Sequence, residues 1–124
     1  MSKVERMLHY CELDSEAAAV VDHHRPGPQW PARGDIMFDE LEMRYRPELD
    51  PVIKGLSFSI EHGEKIGVCG RTGAGKSSLM MSLFRINEAS RGSIVIDGVD
   101  ISRIGLRDLR SNLTIIPQVC YHYE

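Results

Sequence analysis

Residues 65–80 read KIGVCGRTGAGKSSLM. A short apolar run, 65–69, passes through a glycine-rich turn into the start of a helix. Gly70, Arg71, Thr72, Gly73, Ala74, Gly75, Lys76 and Ser77 fit the pattern G-x-x-x-x-G-K-[ST]. Glycines at 70, 73 and 75 let backbone N–H groups curl inward without Cβ clashes. Inward donors in series form a concave nest for phosphate oxygens. The helix opening near Gly75 adds the positive end of its dipole. In this pattern Lys76 reaches the β- and γ-phosphates, and the Ser77 hydroxyl is the expected Mg²⁺ ligand. The stretch therefore reads as a grip on the phosphate tail of a nucleoside triphosphate with Mg²⁺.

Outward from the loop, the flanking pattern is that of an α/β protein. KIGVC is predicted to be a short strand covered on both faces, because it is almost wholly apolar. SSLMMSLFRI places Leu79, Met80, Leu83 and Ile86 at helical spacing. Upstream, IMFDELEMRYR alternates with period two and puts Leu41, Met43 and Tyr45 on one face. VIKGLSFSI does the same with Leu56, Phe58 and Ile60, and EHGE makes the turn after it. Downstream, SIVIDGVDI reads as a hairpin around Asp97-Gly98. SRIGLRDLR reads as a short helix, and LTII as a β-branched strand stopped by Pro117. The predicted fold is an antiparallel β-subdomain followed by an incomplete parallel core sheet with helices.

Residues 1–34 differ from the rest. Val4, Met7, Leu8 and Cys11 follow the i, i+3, i+4, i+7 rule for a short amphipathic helix. Such a helix is too short to stand alone in water, so its apolar stripe needs a partner. Pro26, Pro28 and Pro31, with Gly27 and Gly34, then favour an extended linker. The region is either a loose tail or a tether to an upstream domain.

Composition narrows the classes. The chain has 124 residues, 42% hydrophobic and 27% charged, which suits one small globular domain. A net charge of −3 gives no electrostatic case for nucleic acid. No apolar stretch approaches the roughly 20 residues of a membrane span, and the N-terminus has no signal-peptide core, so the chain alone reads as soluble. Its three cysteines, Cys11, Cys69 and Cys120, are far apart and form no CxxC pair, which fits a reducing compartment. The adjacent His23 and His24 lead to no metal-ligand spacing.

A second Mg²⁺ ligand is expected as an aspartate at the end of an apolar strand. Asp97 follows Ile94, Val95 and Ile96, but Gly98 comes next, and Asp-Gly is better explained as a turn. No N-K-x-D pattern supports guanine selectivity. The run from GEKIGVCGRTGAGKSS to NLTIIPQ resembles the start of an ABC transporter nucleotide-binding domain. It is most similar to the C (multidrug-resistance-associated) subfamily, and there to the second of two ATPase domains. RYRPELDPVIKGLSFSI resembles the antiparallel strands opening that domain, and residues 1–34 resemble the linker from the last membrane helix. The resemblance implies a partial ATPase domain over 35–118. It implies ATP as ligand, with Tyr45 stacking on adenine and Ser78 bonding the α-phosphate. It also implies Gln118 as the glutamine that serves Mg²⁺ and the attacking water, so that Lys76 and Gln118 carry the catalytic roles. The partners implied are transmembrane domains and a second nucleotide-binding domain of the same transporter, at the cytoplasmic face of a membrane.

After Gln118 the chain departs from the family pattern. Val119-Cys120 does not match, and the tail VCYHYE, 119–124, is read as foreign to the family. The family's signature loop, Walker-B aspartate, catalytic glutamate and switch histidine have no counterpart here. The expectation is weak Mg-ATP binding without hydrolysis by this polypeptide, and a parallel sheet left with an open apolar edge. The competing readings are a stand-alone nucleotide-binding module, or a fragment of another P-loop enzyme such as a small kinase.

Overall fold

The computed structural model describes residues 3–116. Its centre is a four-stranded antiparallel sheet formed by β1 (Ile36–Met43), β2 (Ile53–Ile60), β3 (Arg91–Ile96) and β4 (Val99–Asp100), in the order β2-β1-β3-β4. Three helices accompany it: α1 (Lys3–Cys11), α2 (Lys76–Leu83) and α3 (Leu106–Arg110).

Alternation brings both central strands together, but β1 does not alternate strictly. Phe38, Leu41 and Met43 are all buried, which a plain period of two forbids for the first pair. The register shifts between Phe38 and Leu41, where Glu40 takes a φ of 46°. This bulge returns Phe38 to the core side. Gly92 faces it from β3; a Cβ there would lie 2.3 Å from the carbonyl oxygens of Asp39 and Glu40. The strand ends at Met43, so Tyr45 lies beyond it, about half exposed.

The core gathers Phe38, Leu41, Met43, Ile53, Ile94 and Ile96 from the sheet with Ile101, Ile104 and Leu109 from the segment after it. Phe58 of β2 stacks on Phe38 with ring centroids 4.5 Å apart. Leu56 and Ile60 pack against the same cluster, as the alternation of β2 requires. The β3–β4 turn is the expected one: Asp97 and Gly98 have φ of 46° and 76°, the double positive φ of a two-residue hairpin. SRIGLRDLR is not one helix. A 3₁₀ turn over Ile101–Arg103 is followed by Gly105 and then α3.

Two predicted strands do not form ladders. Residues 65–69 and 113–116 have no strand pairing, and Ile66, Val68, Ile115 and Ile116 are exposed. An extended segment becomes a strand only where a neighbour takes up its N–H and C=O groups, and no described segment does so here.

The inward face of α2 also differs from the apolar spacing. Leu79 and Leu83 pack against the core, but Met80 and Ile86 are exposed and the helix stops at Leu83. The buried positions of α2 are Ser78 and Ser82, at i and i+4, and Arg85, just past the helix end at a φ of 50°, is buried as well. Ser82 Oγ donates to the Ser78 carbonyl at 3.0 Å. Arg85 donates at 2.8 Å to the carbonyls of Ile101 and of Ile104, and pairs with Glu88 at 2.7 Å. A buried guanidinium thus ties the end of α2 to the turn after β4.

α1 is helical as its spacing predicts, with no buried residue. The proline-rich segment after it contains one 3₁₀ turn, Asp22–His24, and lies against the body. Trp30 Nε1 donates to the Ile96 carbonyl at 2.9 Å. The Asp97 carboxylate accepts from the backbone N–H groups of Arg33, Gly34 and Asp35 at 2.8–3.0 Å. Arg25 pairs with Asp108 at 3.0 Å, and Glu16 with Arg110 at 2.8 Å. No helix among the described residues is long and apolar enough to cross a membrane.

Candidate functional site

The glycine turn opens α2. Gly75 is the residue before the helix, at a φ of 88° that an L side chain rarely adopts, and Gly73 has a φ of 82°. A Cβ at Gly75 would also press on Val52, 3.3 Å from its Cγ1. The first intrahelical bond runs from Leu79 N–H to the Gly75 carbonyl at 3.0 Å. The N–H groups of Gly75, Lys76, Ser77 and Ser78 therefore have no carbonyl one turn earlier in the helix. Upstream, Ala74 N–H donates to the Arg71 carbonyl at 3.1 Å, closing the turn on itself.

Lys76 reaches back over the turn. Its ammonium donates to the carbonyls of Gly70 and Arg71 at 2.7 and 2.8 Å. The charge is thereby held against the backbone of the loop. Both bonds are to exposed backbone, so a phosphate can replace them at little cost.

Tyr45, Val52, Thr72, Gly73, Gly75, Lys76, Ser77 and Ser78 line a cavity of about 480 Å³. It takes in most of the residues singled out in the sequence. Tyr45 joins them because its hydroxyl bonds the Ser78 hydroxyl at 2.7 Å. That bond sets the half-exposed ring at the mouth of the loop. It also engages the hydroxyl of Ser78, which is 4% exposed. Ser77 is exposed and lines the cavity, where a hydroxyl can face a cation. Arg71 and Ala74 shape the turn without lining this cavity. Gln118 lies outside the described residues.

The residues fit a polyphosphate with a divalent cation: bare amides at a helix start, an ammonium, a hydroxyl, and no carboxylate among the described residues lining the cavity. Val52 escaped the sequence reading because its part is steric, through contact with Gly75. Asp97 is no ligand in this site; its carboxylate is spent on three backbone amides.

Glycine turn, lysine and helix start together define a phosphate-binding loop of the P-loop class, set beside an antiparallel sheet. The family model described as ABC transporter matches residues 53–123. ABC transporter C family member 3 of Dictyostelium discoideum is 58% identical over 118 residues, 95% of this chain and 8% of that protein. ATP-binding cassette sub-family C member 2 of Homo sapiens is 58% identical over 115 residues, 93% of this chain and 7% of that protein. Among solved structures, a bacterial Atm1-family ABC exporter with ATP bound superposes with a TM-score of 0.77 at 30% identity, over 93% of this chain and 20% of that one. The chain belongs to the ABC transporter family, in the C-family branch these relatives represent. Its fold is that of the N-terminal half of the ABC-type ATPase domain. It spans less than a tenth of the length of these C-family relatives.

Proposed function

We propose that this chain is the ATP-binding part of an ABC-type ATPase that powers export of organic anions or drug conjugates across a membrane. The observation that carries the reading is the set of Lys76, Ser77 and the bare amides of 75–78 around one cavity, with Tyr45 at its mouth. Residues 35–118 are the partial ATPase domain, from the second of the two such domains, and 1–34 connect it to the membrane-spanning part. Residues 119–124 carry no role.

In this reading the loop amides and Lys76 hold the β- and γ-phosphates, and Tyr45 covers the adenine face. Ser77, with Gln118, holds Mg²⁺, and the ion supplies charge neutralisation between the phosphates. Hydrolysis needs a group that orients water, and no carboxylate among the described residues lines the cavity. The 124-residue polypeptide therefore binds Mg-ATP weakly without turning it over. The complete site forms with a second nucleotide-binding domain, at the cytoplasmic face beside the transmembrane domains.

Calorimetric titration of the chain with Mg-ATP tests this. Binding heat is expected, at least tenfold weaker in Lys76→Ala, with no phosphate released in either. Equal heats for both proteins, or none, would remove the assignment. Steady phosphate release by the wild type would leave binding in place and overturn the claim of inactivity.

A further inference from the structure

The segment between α1 and β1 touches the body at more than its two ends. Along α3 the carbonyls of Ala18 and Ala19 accept from the N–H groups of Leu106 and Arg107 at 3.1 and 2.9 Å. Arg25 and Glu16 pair with Asp108 and Arg110 of the same helix. Gly105 is required at the crossing, since a Cβ there would fall 2.4 Å from the Ala19 carbonyl oxygen. The segment is a strap laid over the start of α3.

Arg110 leads from the strap to the phosphate loop. One edge of its guanidinium takes both carboxylate oxygens of Glu16, at 3.0 and 2.8 Å. Another donates to the carbonyls of Phe84 and Arg85, at 3.0 and 2.9 Å. Those carbonyls close the C-terminal end of α2, where a cation is favoured by the helix dipole. The other end of α2 is the loop. An eight-residue helix is a rod of about 12 Å, so fixing one end fixes the aim of the amides at the other.

We infer that Arg110 is a positioning residue for nucleotide, and that Glu16 makes its grip depend on the strap being seated. The exposed Glu16–Arg110 pair adds little to stability. Its two-sided geometry instead links the upstream chain to the set of the phosphate loop. Linkage is reciprocal, so nucleotide in the loop tightens the strap in turn. The inference rests on the reading of the loop as an Mg-ATP site.

The test uses the whole chain with Mg-ATP, and reads affinity and amide exchange. Leu106 and Arg107 stand in the first turn of α3 without helical partners, so their N–H groups report strap seating directly. Saturating Mg-ATP is expected to slow their exchange about fivefold, and Glu16→Ala to weaken Mg-ATP binding about fivefold, with the melting temperature unmoved. Gly105→Ala, which pushes the strap off without touching Glu16 or Arg110, is expected to weaken binding to the same degree. Wild-type affinity in Glu16→Ala or in Gly105→Ala, or exchange at Leu106 and Arg107 indifferent to Mg-ATP, overturns the inference while leaving the nucleotide site intact. A wild-type chain that gives no heat with Mg-ATP defeats the nucleotide reading first, and the inference falls with it.

Discussion

Arg85 shows how much one side chain can hold. It is 7% exposed and serves two carbonyls of the turn after β4 as well as Glu88. Arg85→Met keeps the volume but leaves both carbonyls without a donor. A loss of about 2–4 kcal/mol is expected, read from denaturant midpoints. Asp97 acts by charge. The N–H groups of Gly34, and then of Arg33 and Asp35, hold its carboxyl at about 2, below the ordinary 3.8. A depressed folded value means that its contribution is complete above the unfolded value and fades as pH falls towards the folded one. Stability should therefore drop between about pH 4 and pH 2, and Asp97→Asn should flatten the curve there while lowering it at neutral pH. Lys76, Ser77 and the glycines were legible because a phosphate loop is written in consecutive residues. The roles of Arg85, Arg110 and Asp97 were not, since Arg110 meets Glu16 across 94 positions and Asp97 meets Gly34 across 63. No local pattern announces such a pairing.

Among the elements, β1 and β3 are matched by a defect. The bulge at Glu40 needs a strand opposite that has no side chain at one point, and Gly92 supplies it with a φ of 76°. Gly92→Ala should cost at least about 2 kcal/mol, from positive φ and from overlap with the Asp39 and Glu40 carbonyls. Thermal denaturation beside an Ala control at the open Gly27 would show it. Period-two reading found both strands and set Leu41 and Met43 rightly on the core face, but it carried Tyr45 past the strand end and passed over Phe38, because a bulge resets the count. In and just beyond α2 the same spacing favoured Met80 and Ile86, which are exposed, while Ser78, Ser82 and Arg85 are buried. Hydrophobic spacing misses a helix face seated by hydrogen bonds.

For the molecule as a whole, solidity is uneven. The sheet and the segment from β4 to α3 share one core, whereas 65–69 and 113–116 are apolar stretches with no strand paired to them among the described residues. Amides in those stretches should exchange orders of magnitude faster than those of Phe38 and Ile94, as measured by deuterium uptake in the same sample. Apolar composition suggested strands at both stretches, but a strand also needs a paired neighbour, and no described segment supplies one. The strand order places β2 at the margin of the sheet. Among the described residues its eight positions pair with β1 on one side only, leaving a rim of peptide groups on the other. A rim of that length is a template for another copy of itself. Crowding will decide whether solutions of this polypeptide stay clear: dilute samples keep their chains apart, and concentrated ones will cloud as margin joins margin.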